Sequence, residues 1–287
     1  MGGVSARISM IYERIRWEEK AILKEAEKLG AKVEPINIYD LRLKVRGENP
    51  PICHDVYLQR VISFFKGLYC TALIEFFGKK VINSFEASFV CGNKLLTTLR
   101  LVKAGIPTPR TVIAFSEKGA LEAAEDLGYP AVLKPIHGSW GRLVAPLKDP
   151  LSAKAILEVR AMLHPIHQIY YVQEMVRRPP RDIRSFVIGD QVVAAIYRVA
   201  PRNEWRTNTS RGGKAEPCSI YPELEELSIK AAEAVNGEIV GIDLMEGPDG
   251  LLVHEINHVI EFRNTVPATG VNIPRLIIDY LANLVKR

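Results

Sequence analysis

Apolar positions along the chain follow two rhythms that take turns. In "ARISMIY" (6–12) β-favouring apolar residues form a short run, and from Trp17 to Leu29 the residues Ala21, Ile22, Ala26 and Leu29 fall at helical spacing. Gly30 stops that helix and "KVEPINIYD" (32–40) runs extended. A helix over "VISFFKGLYCTALIEFFG" (61–78) then leads to the short strand "KVIN" (80–83). Strand, helix, strand, helix, strand in one stretch predicts a small parallel sheet.

The pattern then changes. A helix over 92–105 ends at Gly105, and 106–115 runs extended. A helix capped by Ser116 ends at Gly128 and is followed by the buried strand "YPAVLKP" (129–135). Further strands are expected at 168–176 and, as a hairpin about Gly189-Asp190, at 182–199. A helix over 223–237, a second hairpin over 238–258 and a helix over 273–287 complete the chain. The division expected is an N-terminal domain over 1–90, a central subdomain over 91–172 and a C-terminal one over 173–287.

Composition narrows the classes. The 287 residues are 47% hydrophobic with a net charge of +5 and no basic tract, which argues against a nucleic-acid binder. Cys53, Cys70, Cys91 and Cys218 lie far apart, which excludes a CxxC zinc site and argues against a secreted disulfide framework. The N-terminal segment lacks a signal peptide's apolar core and no run approaches a membrane span, so a cytoplasmic protein is expected.

The loop "KPIHGSWGR" (134–142) closes a buried strand with a lysine and carries two glycines. Glycines permit positive φ and close backbone approach, which suits a loop over phosphates; an ordinary surface hairpin with one buried tryptophan is the alternative. "HEINH" (254–258) matches H-E-x-x-H, but zinc chemistry there requires a helix, and this stretch follows a Pro-Asp-Gly turn in β-favouring sequence. As a strand, it sends His254, Ile256 and His258 one way and Glu255 and Asn257 the other. Asp243 on the partner strand lies nearly opposite Glu255. Two carboxylates and an amide oxygen then converge, a donor set that suits Mg²⁺ with phosphate oxygens completing its shell.

"CGNK" with Lys94, "VLKP" with Lys134, "GSWGR", "VQEMV", "RDIR" and "GIDLM…VHEINH" occur in the order seen in ATP-grasp ligases, and no Walker or G-x-G-x-x-G motif is present. The chain resembles the RimK/LysX family of these enzymes, also through "AAIYR" (194–198), "TNTSRGGKAEPC" (207–218) and "HEINHVIEFRNTVPATG" (254–270). The likeness implies an α/β ATP-grasp fold behind an N-terminal Rossmann-like pre-ATP-grasp domain. It implies a ligase that joins the amino group of α-aminoadipate to the C-terminal glutamate of a small acidic carrier of the LysW type. ATP and Mg²⁺, two ions of it, are the implied cofactors. A homo-oligomer without nucleic-acid or membrane partners is expected.

Roles follow by the same resemblance. Lys94 and Lys134 meet ATP phosphates, and Gly138, Ser139, Trp140, Gly141 and Arg142 close over them. Trp140 either excludes water there or packs as core. Gln173, Glu174 and Val176 flank adenine. Asp182 meets the ribose hydroxyls or pairs with Arg181 or Arg184. Asn208 sits near ATP, and Asp243, Glu255 and Asn257 hold metal. Arg198 and Arg211 act on the reacting groups, and Arg198, Thr209, Ser210, Glu261, Phe262, Arg263, Asn264 and Thr265 line the substrate site. Members that use glutamate carry Gly-Phe where this chain has Asn264-Thr265, yet "NEWR" (203–206) is similar to those members. Glutamate as substrate, both amino acids, another acceptor, or a non-enzymatic nucleotide-binding regulator are the alternatives.

Overall fold

A computed structural model describes residues 7–46, 54–202, 204–207 and 212–286, without the side chain of Lys286. The first sheet is parallel. Strand β1 (Arg7–Tyr12) leads through helix α1 (Trp17–Lys28) to β2 (Lys32–Asn37), then β3 (Val56–Arg60), helix α2 (Phe64–Phe76) and β4 (Lys80–Ile82), in the spatial order β2-β1-β3-β4. The alternating pattern anticipates this sheet but with three strands. The missing one, β3, reads "VYLQR", and its Gln and Arg disguise a strand whose five residues are all buried. Helix α2 starts at Phe64, three residues later than the apolar run begins.

Two short helices, α3 (Phe85–Cys91) and α4 (Lys94–Lys103), lead to the second sheet. It is made of β5 (Thr111–Ala114), β6 (Ala131–Lys134), β7 (Ala145–Leu147) and β8 (Tyr170–Glu174), ordered β5-β8-β6-β7, and all its pairings are antiparallel. Helices α5 (Glu117–Leu127) and α6 (Pro150–Ala161) connect its strands. Both are capped: the Ser116 side chain accepts from Gly119 N–H, and Asp149 forms a capping box with Ser152. The sequence reading passes over α6, although Asp-Pro at its start and Ser three positions after the cap are a recognisable helix entry.

The third sheet is antiparallel and contains β9 (Arg181–Ile188), β10 (Gln191–Val199), β11 (Lys214–Pro217), β12 (Ile239–Gly247) and β13 (Gly250–Asn257), ordered β11-β10-β9-β12-β13. Both hairpins expected from sequence form. Gly189 (φ 64°) and Gly250 (φ 125°) take the positive φ their turns demand. One face of this sheet packs through Ile183, Val187, Ile242, Leu244, Val253 and Ile256 into a core that includes helix α7 (Pro222–Ala234). The other face has two parts. At one end Phe186, Ile188, Ala194 and Ile196 share a core with the first sheet and with helix α9 (Ile273–Lys286). At the other end that face is polar, and there the charged residues gather. A short helix, α8 (Thr265–Thr269), joins β13 to α9. No helix among the described residues is long and apolar enough to cross a membrane.

Candidate active site

Strand register lays a row of charge across the polar end of the third sheet. Arg198 on β10 pairs with Asp182 on β9, Arg184 on β9 with Asp243 on β12, and Asp243 with Glu255 on β13. Residues two apart share a face, so Arg198, Asp182, Arg184 and Asp243 alternate in sign across it, and Glu255 follows Asp243 as a second carboxylate. The Arg198 guanidinium meets both oxygens of Asp182 at 2.7 Å and lies 3.0 Å from Asp243, while Arg184 grips Asp243 at 2.6 and 2.7 Å. Asp182, Asp243 and Arg198 are all at most 3% exposed. Burial alone raises a carboxyl's pKa, but the two guanidiniums outweigh it and hold Asp243 well below the usual carboxylate range. Arg198 is likewise desolvated, yet Asp243 and Asp182 keep it firmly charged. Asp182 therefore faces Arg198 and accepts from Thr207, rather than pairing with Arg181 or Arg184. Arg181 instead binds Glu246 on the opposite side.

A cleft of about 630 Å³, part of it open to solvent, lies over this row. Lys94, Lys134, the loop Gly138–Arg142, Asp182, Arg198, Asp243 and Glu255 line it together. Lys94 follows the N-cap Asn93, whose side chain accepts from Leu95 and Leu96 N–H. Its ammonium donates to Gly138 O at 2.9 Å and lies 3.5 Å from Glu255. Lys134 ends β6 and donates to Gln173 Oε1 at 2.5 Å. Burial pushes its ammonium down to about 8, against the upward pull of Glu255.

The glycine-bearing loop is anchored at both ends. His137 Nδ1 lies 2.7 Å from Gly92 O and must donate to it, so Nε2 is left to accept from Asn93 Nδ2 at 3.3 Å. A Cβ on Gly92 would meet the Phe64 ring at 1.8 Å, and that ring lies against His137. Buried Arg160 donates to Leu143 O at the far end. Between the anchors, Gly138 and Gly141 hold positive φ, and so do Trp140 (58°) and Leu143 (56°). A bulky residue in that region is strained, and such strain concentrates at ligand clamps. Trp140 is 38% exposed with the Arg142 guanidinium over its ring at 5.1 Å, so it is not a core residue.

Other expected residues stand apart from the cleft lining. Gln173 backs it by holding Lys134, Thr111 and Tyr171, while Glu174 is engaged by Arg110, and Val176 follows β8 in the connecting segment. Asn257 sits one step beyond, its Nδ2 3.5 Å from Asp243 Oδ2. Glu261 bonds Arg16, Phe262 is fully buried, Arg263 and Asn264 are exposed, and Thr265 is 1% exposed. Asn208, Thr209, Ser210 and Arg211 lie outside the described residues.

Several cleft residues escape the sequence reading: Arg178, Trp205, Arg206, Thr207, Met245 and His254. "RRPPR" and "NEWR" carry visible basic and aromatic residues, but nothing local says that two irregular segments meet over one sheet. His254 corrects the strict strand parity. The register slips between Asp243 and Leu244, which pair with Glu255 and Val253, so His254 is an extra residue in β13. That bulge turns His254 into the cleft beside Glu255 while Val253 and Ile256 stay in the core. The H-E-x-x-H stretch is strand, and no cluster of three His, Cys, Asp or Glu suited to a metal occurs among the described residues. Asp243, Glu255 and Asn257 offer oxygen donors of the kind a hard cation takes together with phosphate, and Asp243 is held between Arg184 and Arg198.

Comparison with known proteins bears on this site. A family model described as the RimK-like ATP-grasp domain matches residues 91–281, and one described as the LysX pre-ATP-grasp domain matches residues 8–90. The chain is 39% identical over 284 residues to the alpha-aminoadipate--LysW ligase LysX of Sulfurisphaera tokodaii, covering 98% of this chain and 99% of the relative. It is 36% identical to the glutamate--LysW ligase ArgX of the same organism, covering 96% and 98%. The crystal structure of a RimK domain ATP-grasp protein from Sphaerobacter thermophilus superposes with a TM-score of 0.77 at 21% identity, covering 96% of this chain and 99% of that one.

Proposed function

Because this chain belongs to the RimK-like ATP-grasp family and carries a LysX-type pre-ATP-grasp domain, we propose that it ligates α-aminoadipate to a LysW-type carrier protein. It is an ATP-dependent carboxylate–amine ligase. The γ-phosphoryl group of ATP passes to the carrier's terminal glutamate carboxylate, giving an acyl phosphate and ADP. The amine attacks that carbonyl, phosphate leaves, and one amine proton is lost as the amide bond forms. Both steps need charge neutralisation and in-line placement more than a strong base.

The observation that carries this reading is the facing of two charged sets: Lys94, Lys134 and the glycine loop on one side, the Arg198–Asp182–Arg184–Asp243–Glu255 row on the other. Lys94 and Lys134 bind the phosphates. Gly138, Ser139, Gly141 and Arg142 close over them, and Trp140 keeps water from the acyl phosphate. Arg198 orients the carboxylate that receives the phosphoryl group, assisted by Arg211. Asp243, Glu255 and Asn257 hold Mg²⁺, two ions in our reading, which neutralises phosphate charge when bound. Gln173, Glu174 and Val176 flank adenine, Asp182 serves the ribose, and Asn208 lies near ATP.

Asn264 decides the amino acid. It caps α8 without using its side chain on the helix, and it is exposed, so its amide is available to a distal carboxylate. The exposed aromatic stripe Phe65, Tyr69 and Phe76 on α2 supports a homo-oligomer, and the setting is cytoplasmic. The test is ADP release from Mg·ATP and the carrier, with α-aminoadipate or glutamate supplied separately. Faster turnover with α-aminoadipate is expected. A clear preference for glutamate assigns the chain to the ArgX type of ligase instead, and release with neither overturns the carrier reading.

A further inference from the structure

His254 is the one chemically active side chain that the bulge brings into the cleft and that the mechanism above leaves unused. Both its ring nitrogens are buried, and neither has a hydrogen-bond partner. A buried donor or acceptor left unpaired costs about 1–3 kcal/mol, so a chain that keeps one in a cleft has a use for it. A plain core histidine would place its ring among the apolar residues of β13, yet Val253 and Ile256 occupy that face and His254 does not. Its surroundings are polar and charged: Lys134, Asp243, Arg198 and Arg178 all act on it electrostatically, Lys134 the most strongly. Glu255 is its immediate neighbour, and all six residues line the same cleft.

These neighbours define the ligand. Three of the five are cations and two are carboxylates, and a group that enters between Lys134 and Glu255 and balances the excess positive charge is an anion. An imidazole N–H at that point donates to an anion oxygen, and the second ring nitrogen accepts from a protein or water donor. We propose that His254 is a nucleotide-contacting residue whose ring N–H binds a polyphosphate oxygen of ATP between Lys134 and Glu255. The β-bulge between Asp243 and Leu244 is the device that turns it there, so bulge and histidine work together.

This inference rests on reading the cleft as the ATP site, and calorimetry separates the two. Wild-type protein is titrated with Mg·ATP and with adenosine, and His254→Leu and His254→Asn are treated alike. In the wild type, Mg·ATP binding that far exceeds adenosine binding upholds the cleft reading, and its absence overturns that reading before any variant is considered. Given wild-type binding, His254→Leu is expected to weaken Mg·ATP by about 10–100-fold, the loss of one hydrogen bond to a charged group. Adenosine affinity stays unchanged, and His254→Asn, which retains an N–H donor, recovers part of the loss. In turnover, KM for ATP rises while KM for the amino acid does not. Mg·ATP affinity in His254→Leu within about twofold of wild type overturns the proposal, marking the ring as a buried histidine bridged by water. Equal loss of Mg·ATP and adenosine also overturns it, because a general disturbance of the cleft has that effect.

Discussion

Two residues of the site make unequal probes, because their burial differs. Asp243 is 2% exposed and clamped by Arg184 and Arg198, so replacing it with alanine takes the anion from Arg184 and leaves Arg198 to Asp182 alone. Breaking one partner of a buried pair costs about 3–5 kcal/mol, and lost activity in Asp243→Ala would mix chemistry with unfolding. The Glu255 side chain is 27% exposed and meets Lys94 at 3.5 Å, so Glu255→Gln perturbs the fold less and isolates its role. Turnover by Glu255→Gln is expected to fall at least about 100-fold with an unchanged melting temperature, the scale of one lost charge-stabilising group at a reacting centre. Near-normal ADP release would remove Glu255 from the metal set. Lys134 offers a second test through pH. Its ammonium is held at about 8 against an ordinary 10.5, so the folded protein sheds this proton first. Between those values the unfolded chain holds more protons, and stability from this group therefore rises with pH across that window. Nucleotide binding runs the other way: phosphate needs the ammonium, so KM for ATP should climb as pH passes about 8 and stay level in Lys134→Arg, which remains charged. A flat wild-type profile would mean that Lys134 is not a phosphate ligand. Both residues were legible as candidates in the sequence, because a lysine closing a buried strand and a carboxylate alternating along one are local signals. Their partners were not. Arg178, Arg206 and Thr207 reach the cleft from irregular segments whose paths no periodicity encodes.

At the scale of elements, the hairpin of β12 and β13 shows where pattern reading works and where it stops. Strand identity, the turn and the pairing of Asp243 with Glu255 all follow from alternation and from the Pro-Asp-Gly turn. The bulge does not, since it leaves the composition of the strand unchanged and only reverses one side chain. In the same way β3 escapes the pattern because burial of its Gln59 and Arg60 depends on partners far along the chain: Arg60 meets Glu19 at 3.0 Å and Ile260 O at 2.8 Å. Asn83, just after β4, is another such residue. Buried at 3% exposure, it donates to Ile239 O and His258 O at 2.8 Å and accepts from the Glu238 and Ile239 N–H groups. One amide thereby joins the end of the first sheet to the start of β12 and the residue just past Asn257. Asn83→Ala strands two backbone donors and two carbonyls, so a loss of at least about 1–3 kcal/mol is expected, with a melting temperature several degrees lower. Calorimetric melting checks this. An unchanged midpoint would mean that water replaces the amide and that the junction is held by the shared core alone.

The whole molecule comes together in the segment after β13. Each of its residues 260–263 is held by the N-terminal domain. Arg60 donates to Ile260 O, Arg16 meets Glu261 at 3.0 Å, Trp17 stands edge-on to Phe262 at 6.0 Å, and Glu18 accepts from Arg263 N–H at 3.2 Å. The next residue, Asn264, begins α8 with its side chain uncommitted, while Thr265 is buried. The two residues that distinguish the aminoadipate and glutamate readings are therefore not equivalent. Thr265→Phe inserts a ring into a filled interior, which typically costs about 1–3 kcal/mol through overpacking, and a double change confounds selectivity with repacking. Asn264→Ala tests the amide alone. α-Aminoadipate is one methylene longer than glutamate, and a methylene by itself discriminates only about 10–200-fold in an apolar pocket. A donor fixed at the depth of the longer chain's carboxylate adds to that, because glutamate leaves it unpaired. Asn264→Ala is accordingly expected to lower kcat/KM for α-aminoadipate by about 10-fold or more, the scale of a hydrogen bond to a charged group, with glutamate and ATP kinetics nearly unchanged. The same variant tests the cradle. If the N-terminal domain fixes residues 260–263, the loss falls on KM, since the neighbouring backbone keeps its place without the amide. A parallel fall for both amino acids would show that Asn264 orders the segment rather than reading the substrate, and selectivity would then have to reside in the Trp205–Arg206 stretch that also lines the cleft.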